Sequence, residues 1–556
     1  MWSQTLPIKD LPLSAHLLLL ILAFIFWKSC SRYLGRSQVL KSPPGPWKLP
    51  ILGNLLQLAG HPLPHYALRD LARKHGPIIH LKLGQSEATI ISSSKAALEV
   101  LKTHEINFSQ RPPSLYAESL TFGGGSIAFA PYGDFWREVR KIIVSELLSS
   151  KHVRAFRFIR EEEVNNFVAS ISSSSSKSSS INFSEESMLL TNGIISRAAF
   201  GNKCKHQTEF IAVLDEAMKL FGGFGIPDLF PSLRFLCLVT GTIPAMRKAL
   251  DKLGVVLDSI IDDHKRKRSI KDDDKPAGGF DHNDDHQEEE DLVDVLLKHH
   301  ESNTKLDFKL TTGQIKDVVM VCCLAKTIRI VSEDLIYTRI SNMQEIFTAG
   351  SDTTATTLTW AMSELLKNPR VMKKAQAEVR QSAFLTYEDI NAQHKMDYLK
   401  SIVKETLRLH PPIPLLPRES RERCEIDGYV LPAKTKAIIN VWALARDPEQ
   451  WGGDADSFKP ERFLNDSMTA KMDFRGSDFE LIPFGSGRRR CPGMSFANAV
   501  IELALFQLLY HFDWKLANGI KPDDLDMTER WGAACKKRDD LYVIATPHIL
   551  DSMTKS

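Results

Sequence analysis

The longest apolar run is LPLSAHLLLLILAFIFW, Leu11 to Trp27, interrupted only by Ser14 and His16. Its length is near the lower limit for a helix that spans a bilayer. Lys28, Arg32, Arg36 and Lys41 follow it, whereas Lys9 and Asp10 offset each other before it. A cleaved signal peptide has the reverse order, so the pattern favours an uncleaved anchor over residues 1–41. The positive-inside rule then leaves the rest of the chain cytoplasmic. Ser42 to Asn54 (SPPGPWKLPILGN) follows, a proline-locked extended hinge that cannot be helix. Beyond it, residues 55–556 read as one body of mostly helical periodicity with short strand patterns such as Ile78 to Gly84 and Thr435 to Asn440. Fold class is therefore mainly α with small β-sheets (α+β).

Two segments have too few apolar residues to be buried. SSSSSKSSS, Ser172 to Ser180, and the charge-dense stretch Asp262 to Asp291 read as solvated loops. His282, Asp284, Asp285 and His286 in the latter could be drawn as a metal site, but a flexible acidic loop is the commoner meaning of such a run. Gly123 to Gly125 lack the Lys-Ser/Thr of a phosphate cradle and read as a loop bend.

Composition adds little: 556 residues, 43% hydrophobic, 25% charged and a net charge of +3 give no general case for nucleic acid. The eight cysteines form no CxxC pair, which fits free thiols in a reducing compartment and excludes a clustered zinc site. Cys491 stands out because PFGSGRRRCPG surrounds it with glycines and arginines, the setting of an ionised, ligand-binding sulfur. Taken alone, the loop also allows a reactive thiol.

Two further constellations carry polar groups on apolar patterns. In KETLRLHPP, Glu405 and Arg408 share a helix face, and Arg462 of FKPERF could join them as a buried structural network. In EIFTAGSDTTATTLTW, Glu345 to Trp360, polar residues interrupt a buried helix where they could bond carbonyls of the preceding turn, hold water and pass protons. The competing reading is an N-cap, with DTT starting a new helix.

F-x-x-G-x-R-x-C-x-G at Phe484 to Gly493 resembles the signature of the haem-thiolate cytochromes P-450. ExxR at Glu405 and Arg408, PERF at Pro460 to Phe463, A-G-x-D-T-T at Ala349 to Thr354 and W-x-x-x-R at Trp136 and Arg140 match in order. The likeness covers nearly the whole chain and is strongest to the plant microsomal, terpenoid-oxidising branch. It implies haem b with Cys491 as the axial thiolate on iron, and Phe484 packed against the thiolate side. It implies that Gly487 and Gly493 let backbone N–H groups reach the sulfur, and that Trp136, Arg140, Arg418 and Arg489 meet the haem propionates. Asp352 and Thr353 would deliver protons to bound O2. Leu115, Phe122, Phe347, Ala349, Ile413, Leu415 and Leu416 would line the pocket for a small lipophilic substrate. The chain has no recognisable flavin or dinucleotide half, so the resemblance implies electrons from NADPH through a separate cytochrome P-450 reductase, with cytochrome b5 as a further partner. Arg488 and Arg490 would present a basic surface to such a partner. The implied location is the endoplasmic reticulum membrane.

One segment departs from the family pattern. LTTGQIKDVVM ends at Met320 and EIFTAG resumes at Glu345, so Val321 to Gln344 reads as an insert. Its removal restores KDVVMEIFTAG, a continuous apolar-periodic helix. Valine codons begin GT and glutamine can be CAG, the boundaries of an unspliced intron read in frame. PPIPLLPRE is also one residue shorter than in many relatives, which can change the strand face that meets the pocket. Three functions follow: an oxygen-inserting enzyme; a haem protein disabled by the insert; or a haem enzyme that rearranges an oxygenated substrate, against which Asp352 and Thr353 argue.

Overall fold

The computed structural model describes residues 42–114, 127–146, 148–175, 179–200, 207–208, 211–212, 226–233, 344–381, 396–464 and 469–548, with positions 244 and 248. The anchor, the Gly123–Gly125 bend, the acidic stretch 262–291 with its candidate metal residues, and all of the insert but Gln344 lie outside them. No helix among the described residues is long and apolar enough to cross a membrane.

The chain is mainly α with small sheets. The principal helices are α1 (Pro64–His75), α2 (Asp134–Glu146), α3 (Arg157–Ser175), α4 (Phe183–Phe200), α5 (Gln344–Lys367), α6 (Pro369–Arg380), α7 (Asp397–Leu409) and α8 (Met494–His511). Proline at the first position starts α1 and α6, where the missing N–H has no intrahelical partner to lose. One mixed sheet has the order β1 (Ile78–Leu83), β2 (Ser86–Ile91), β7 (Lys436–Asn440), β4 (Leu415–Glu419). Its β2 and β7 run parallel, and the outer pairs are antiparallel. A second sheet orders β3 (Ile181–Asn182), β11 (Tyr542–Pro547) and β8 (Phe512–Leu516). Two small hairpins complete it, β5 (Cys424–Ile426) with β6 (Tyr429–Leu431), and β9 (Glu529–Arg530) with β10 (Lys536–Lys537).

The two strand patterns read from sequence are β1 and β7. The serine run differs from expectation: α3 continues through Ser175, and Ser173 and Ser175 donate to the carbonyls of Ser170 and Ser172. Hydroxyls bonded one turn back let a polar tail stay helical without burial. The proline segment is more than a spacer. Pro44 O accepts from His80 N at 2.7 Å, and Gly53 bridges to Leu83. Asn54, fully buried, donates to Trp47 O and accepts from Lys82 N, which fastens the hinge to the sheet edge.

The main core lies among α3 to α8 and the second sheet, with Leu358, Leu365, Ile402, Leu407, Val500 and Leu508 at its centre. Helix α5 crosses it. Gly350 lets α4 approach, since a Cβ there would lie 2.5 Å from Ile195 Cδ1. Thr191 on α4 donates to Ser351 O at 3.0 Å.

Glu405 and Arg408 share one face of α7 at zero side-chain exposure, paired by bonds of 2.7 and 2.9 Å. Arg408 also donates to Ala445 O, Ala455 O and Ser457 O, so every N–H of its guanidinium is used. Arg462, on the turn Pro460–Phe463, reaches Glu405 at 2.8 Å, and Lys459 N adds a backbone donor at 2.8 Å. The network thus fixes α7 against the segment 445–463. Glu405→Gln should destabilise by about 3–5 kcal/mol, because two buried guanidiniums then lack their counter-charge. Urea unfolding measures it; wild-type stability in the variant would show that the network contributes nothing to the fold.

Candidate active site

The loop Pro483 to Gly493 is held by its own backbone before any ligand is considered. Cys491 N donates to Phe484 O at 2.9 Å, and Arg490 N to Gly487 O at 3.0 Å. Gly487 has φ +70°, and a Cβ there would lie 2.4 Å from Leu101 O. Its lack of a side chain therefore serves the packing of the loop on residue 101. Gly493 has φ −84°, and a Cβ there would meet nothing closer than Cys491 Sγ at 3.9 Å. The N–H groups of Gly493 and Met494 do bond the sulfur, but any residue could supply them. Helix α8 begins at Met494, so its positive end is directed at the same atom. Phe484 packs edge-on to Phe474, 5.5 Å between centroids, on the edge of the main core.

Cys491 is solvent-accessible. Surrounding protein nevertheless dominates its chemistry. Burial pushes the thiol up, while the two N–H groups and the charges of Arg140 and Arg490 pull it down, and burial prevails. A cation at the sulfur would favour the thiolate.

The arginines converge elsewhere. Arg489 leaves the loop to donate to Ser109 O, Ile127 O and Ala130 O. Its guanidinium lies 4.5 Å from the Trp136 ring centroid, and that of Arg140 lies 5.4 Å from it. The Trp136 N–H itself goes to Ile127 O at 2.8 Å, so Trp136 supports the arginines as a platform and its donor is already engaged. Arg140 donates to Arg490 O at 2.6 Å. Arg418, on β4, is 2% exposed and bonds Pro417 O. Burial, then the charges of Arg111 and Arg489, hold its guanidinium well below the ordinary range. Arg111 reaches Ala128 O and Pro417 O. Cations forced together in the interior are the mark of an anion site, and the planar guanidinium fork suits carboxylates. The two propionates of haem fit this donor set, and an accessible sulfur at a helix N-terminus fits its iron.

Helix α5 runs without interruption through Gly350 to Thr354, which removes the N-cap reading. Thr353 Oγ1 donates to Ala349 O and Thr357 Oγ1 to Thr353 O, one turn back in each case. Although α5 crosses the core, Ala349 is exposed and Gly350 and Thr353 are partly so, whereas Ser351, Asp352 and Thr354 are buried. One face of the helix around Ala349 and Thr353 is therefore left open. Asp352 Oδ1 lies 2.6 Å from Lys536 Nζ.

Of the expected pocket residues, Leu115 and Phe122 lie outside the described residues, and Phe347 is described only as part of α5. Leu415 and Leu416 are both buried. Adjacent residues of a strand point to opposite faces, so Leu415 packs with Leu68 and Ile79 while Leu416 packs with Val100 and Phe479. Both are sheet core. Ile413 is partly buried against the same cluster as Leu416. Arg111 and Lys536 were missed. Arg111 has a local signal, an arginine before two prolines in a stiff loop; Lys536 has none.

The family model for cytochrome P450 matches residues 43–327 and 339–542, passing over 328–338 inside the insert. A melianol synthase of Ailanthus altissima is 50% identical over 98% of this chain and 96% of its own. Desmethyl-deoxy-podophyllotoxin synthase of Sinopodophyllum hexandrum is 46% identical, covering 96% of each chain. Premnaspirodiene oxygenase of Hyoscyamus muticus is 44% identical over 95% of this chain and 97% of its own.

Arg418→Met removes one buried cation at similar length. The haem-free protein should gain about 1–4 kcal/mol in urea unfolding, while haem retention during gel filtration falls. Lower stability of the haem-free variant would show that Arg418 is already compensated and is no anion site.

Proposed function

Because the chain belongs to the cytochrome P450 family, the haem-iron oxygenases, we propose that it is a membrane-bound monooxygenase that oxidises a terpenoid with electrons originating in NADPH. The observation that carries the reading is the accessible Cys491 sulfur at the start of α8, combined with the buried cationic group around Arg418. Relatives that act on terpenoids, the melianol synthase and the premnaspirodiene oxygenase, support the substrate class. Haem b bound at Cys491 would supply oxygen activation, the thiolate pushing electron density onto the iron. The residues do the rest. Arg418, Arg489 and Arg140 hold the propionate edge. Thr353 orders water on the open face of α5, its hydroxyl bonded to Ala349 O, and Asp352 supplies protons as a general acid.

A separate NADPH-dependent reductase, with cytochrome b5 as a second donor, would dock on the basic surface around Arg488 and Arg490, both exposed. The endoplasmic reticulum membrane is the proposed location. Trp47, Ile51 and Leu56, just after the anchor, are 68%, 77% and 55% exposed and support a body lying against lipid. The insert is proposed to be retained intron sequence, a reading supported by the gap in the family match at 328–338.

Two experiments test these readings. With reductase, NADPH and a terpenoid panel, the wild type should form oxygenated product. Cys491→Ser should lose both the thiolate type of reduced carbon monoxide spectrum and turnover, and Thr353→Ala should release peroxide with product per NADPH lower by about tenfold or more. A haem-loaded wild type that turns over nothing would defeat the enzyme reading. Transcript sequencing across the junction, with peptide mapping, should find DVVMEIF; a peptide that reads through Ile330 would defeat the intron reading.

A further inference from the structure

The strongest unabsorbed feature is a charged hairpin set against α5. Glu529, on β9, accepts from His65 Nε2 at 2.8 Å and Tyr66 OH at 3.2 Å, with His410 Nδ1 at 3.7 Å and Cys535 Sγ at 3.4 Å. Although burial alone would raise it, these partners hold the Glu529 carboxyl well below its usual range. His65, Glu529 and Cys535 have the spacing of metal ligands, yet Glu529 is already satisfied within the chain, so the group reads as an anchor. Cys535 N donates to Pro412 O, and Trp360 Nε1 on α5 donates to Cys535 O at 3.3 Å. The place of the hairpin is thus set without Lys536.

Lys536 follows directly, opposite Arg530 in the hairpin register. Its ammonium meets Asp352, two turns before Trp360 on α5, roughly 12 Å along the axis at 1.5 Å per residue. The side chains are 19% and 8% exposed, so the pair is mostly shielded but the lysine keeps contact with solvent. A carboxylate so placed tends to take up a proton and become neutral unless a cation stays beside it. A lysine stem can also swing, since its charge is a compact point on four carbons.

We infer that Lys536 is a positioning residue for Asp352: it keeps the acid ionised and turned toward the hairpin, and its release lets the carboxylate carry protons to the open face of α5. The inference rests on the proton-relay reading of Asp352 given above. The elements packed against α5 carry further titratable groups: Glu185, Glu186 and Arg197 on α4; Arg370, Lys373, Lys374, Glu378 and Arg380 on α6; Asp397, Lys400, Lys404, Glu405 and Arg408 on α7, with His410 after it; Glu502 and His511 on α8; Asp513 and Lys515 on β8; Asp523 and Asp524 on the turn Pro522–Asp524; and Glu529, Arg530 and Lys537 on the hairpin. A merely structural tie would add stability and leave proton delivery alone.

The test uses the full-length, haem-loaded protein and the variants Lys536→Met, Lys536→Arg and Asp352→Asn. Competitive acetylation across pH should show the Lys536 amine titrating lower in Asp352→Asn than in wild type, a readout independent of turnover. In Lys536→Met the acid limb of product formed per NADPH should move up by about 1–3 pH units, with Lys536→Arg restoring most of it. If Asp352→Asn leaves coupling unchanged, the relay reading fails and this inference with it. If Asp352→Asn uncouples while Lys536→Met keeps the wild-type pH profile, only the positioning role fails. Unchanged Lys536 titration in Asp352→Asn overturns the ion pair itself.

Discussion

A carboxylate at zero exposure cannot remain charged without near-complete compensation, and Glu405 sets the terms for the rest of this fold. Two guanidiniums and a backbone N–H answer it, and Arg408 in turn requires the carbonyls of Ala445, Ala455 and Ser457. Apart from the Glu405–Arg408 pair within α7, these bonds reach the segment 445–462, which has only short helical turns of its own. The network contributes little net energy against an apolar replacement; its effect is to select one path for the chain after β7. That path leads through the turn Pro460–Phe463 toward the cysteine loop, so the loop inherits its position from a charge buried in α7.

The contrast with Arg418 separates two kinds of buried charge. Around Glu405 the charges close on themselves within the chain. Around Arg418 the nearest charges are Arg111 and Arg489, of the same sign, and burial adds to their effect. At Cys491 the polarity is opposite: donors and cations face the sulfur, while burial pushes the thiol up. A cation at the sulfur and anions at the arginines relieve both at once. One planar ligand with a metal at its centre and carboxylates at its edge meets these requirements. The site is thus readable from unresolved electrostatics as well as from motif.

Much of this was legible in the sequence because short motifs fix local chemistry. Glu405 and Arg408 are three apart on a helix, and alternating apolar residues marked β1 and β7. Long-range assignments were harder. Trp136 was expected to donate to a carboxylate, but its N–H finds Ile127 O, and only the fold brings that carbonyl within reach. Leu415 and Leu416 looked like pocket wall because they are apolar and near the motif, yet β4, an edge strand, packs each of them into a different core cluster. Gly487 was assigned to the sulfur, while its constraint comes from Leu101, far away in sequence. Lys536 sits among basic neighbours with nothing to single it out. Its partner is chosen by the hairpin that Glu529 anchors.

The same reasoning bears on the insert. Among the described residues, four contacts orient α5: Gly350 against Ile195, Ser351 O with Thr191, Asp352 with Lys536 and Trp360 with Cys535. A helix held at four points along this length has no freedom to slide or rotate in response to residues before it. A one-residue change of register would turn each of these positions by about 100° and break all four contacts together. The placement of Asp352 and Thr353 thus rests on α4 and the hairpin.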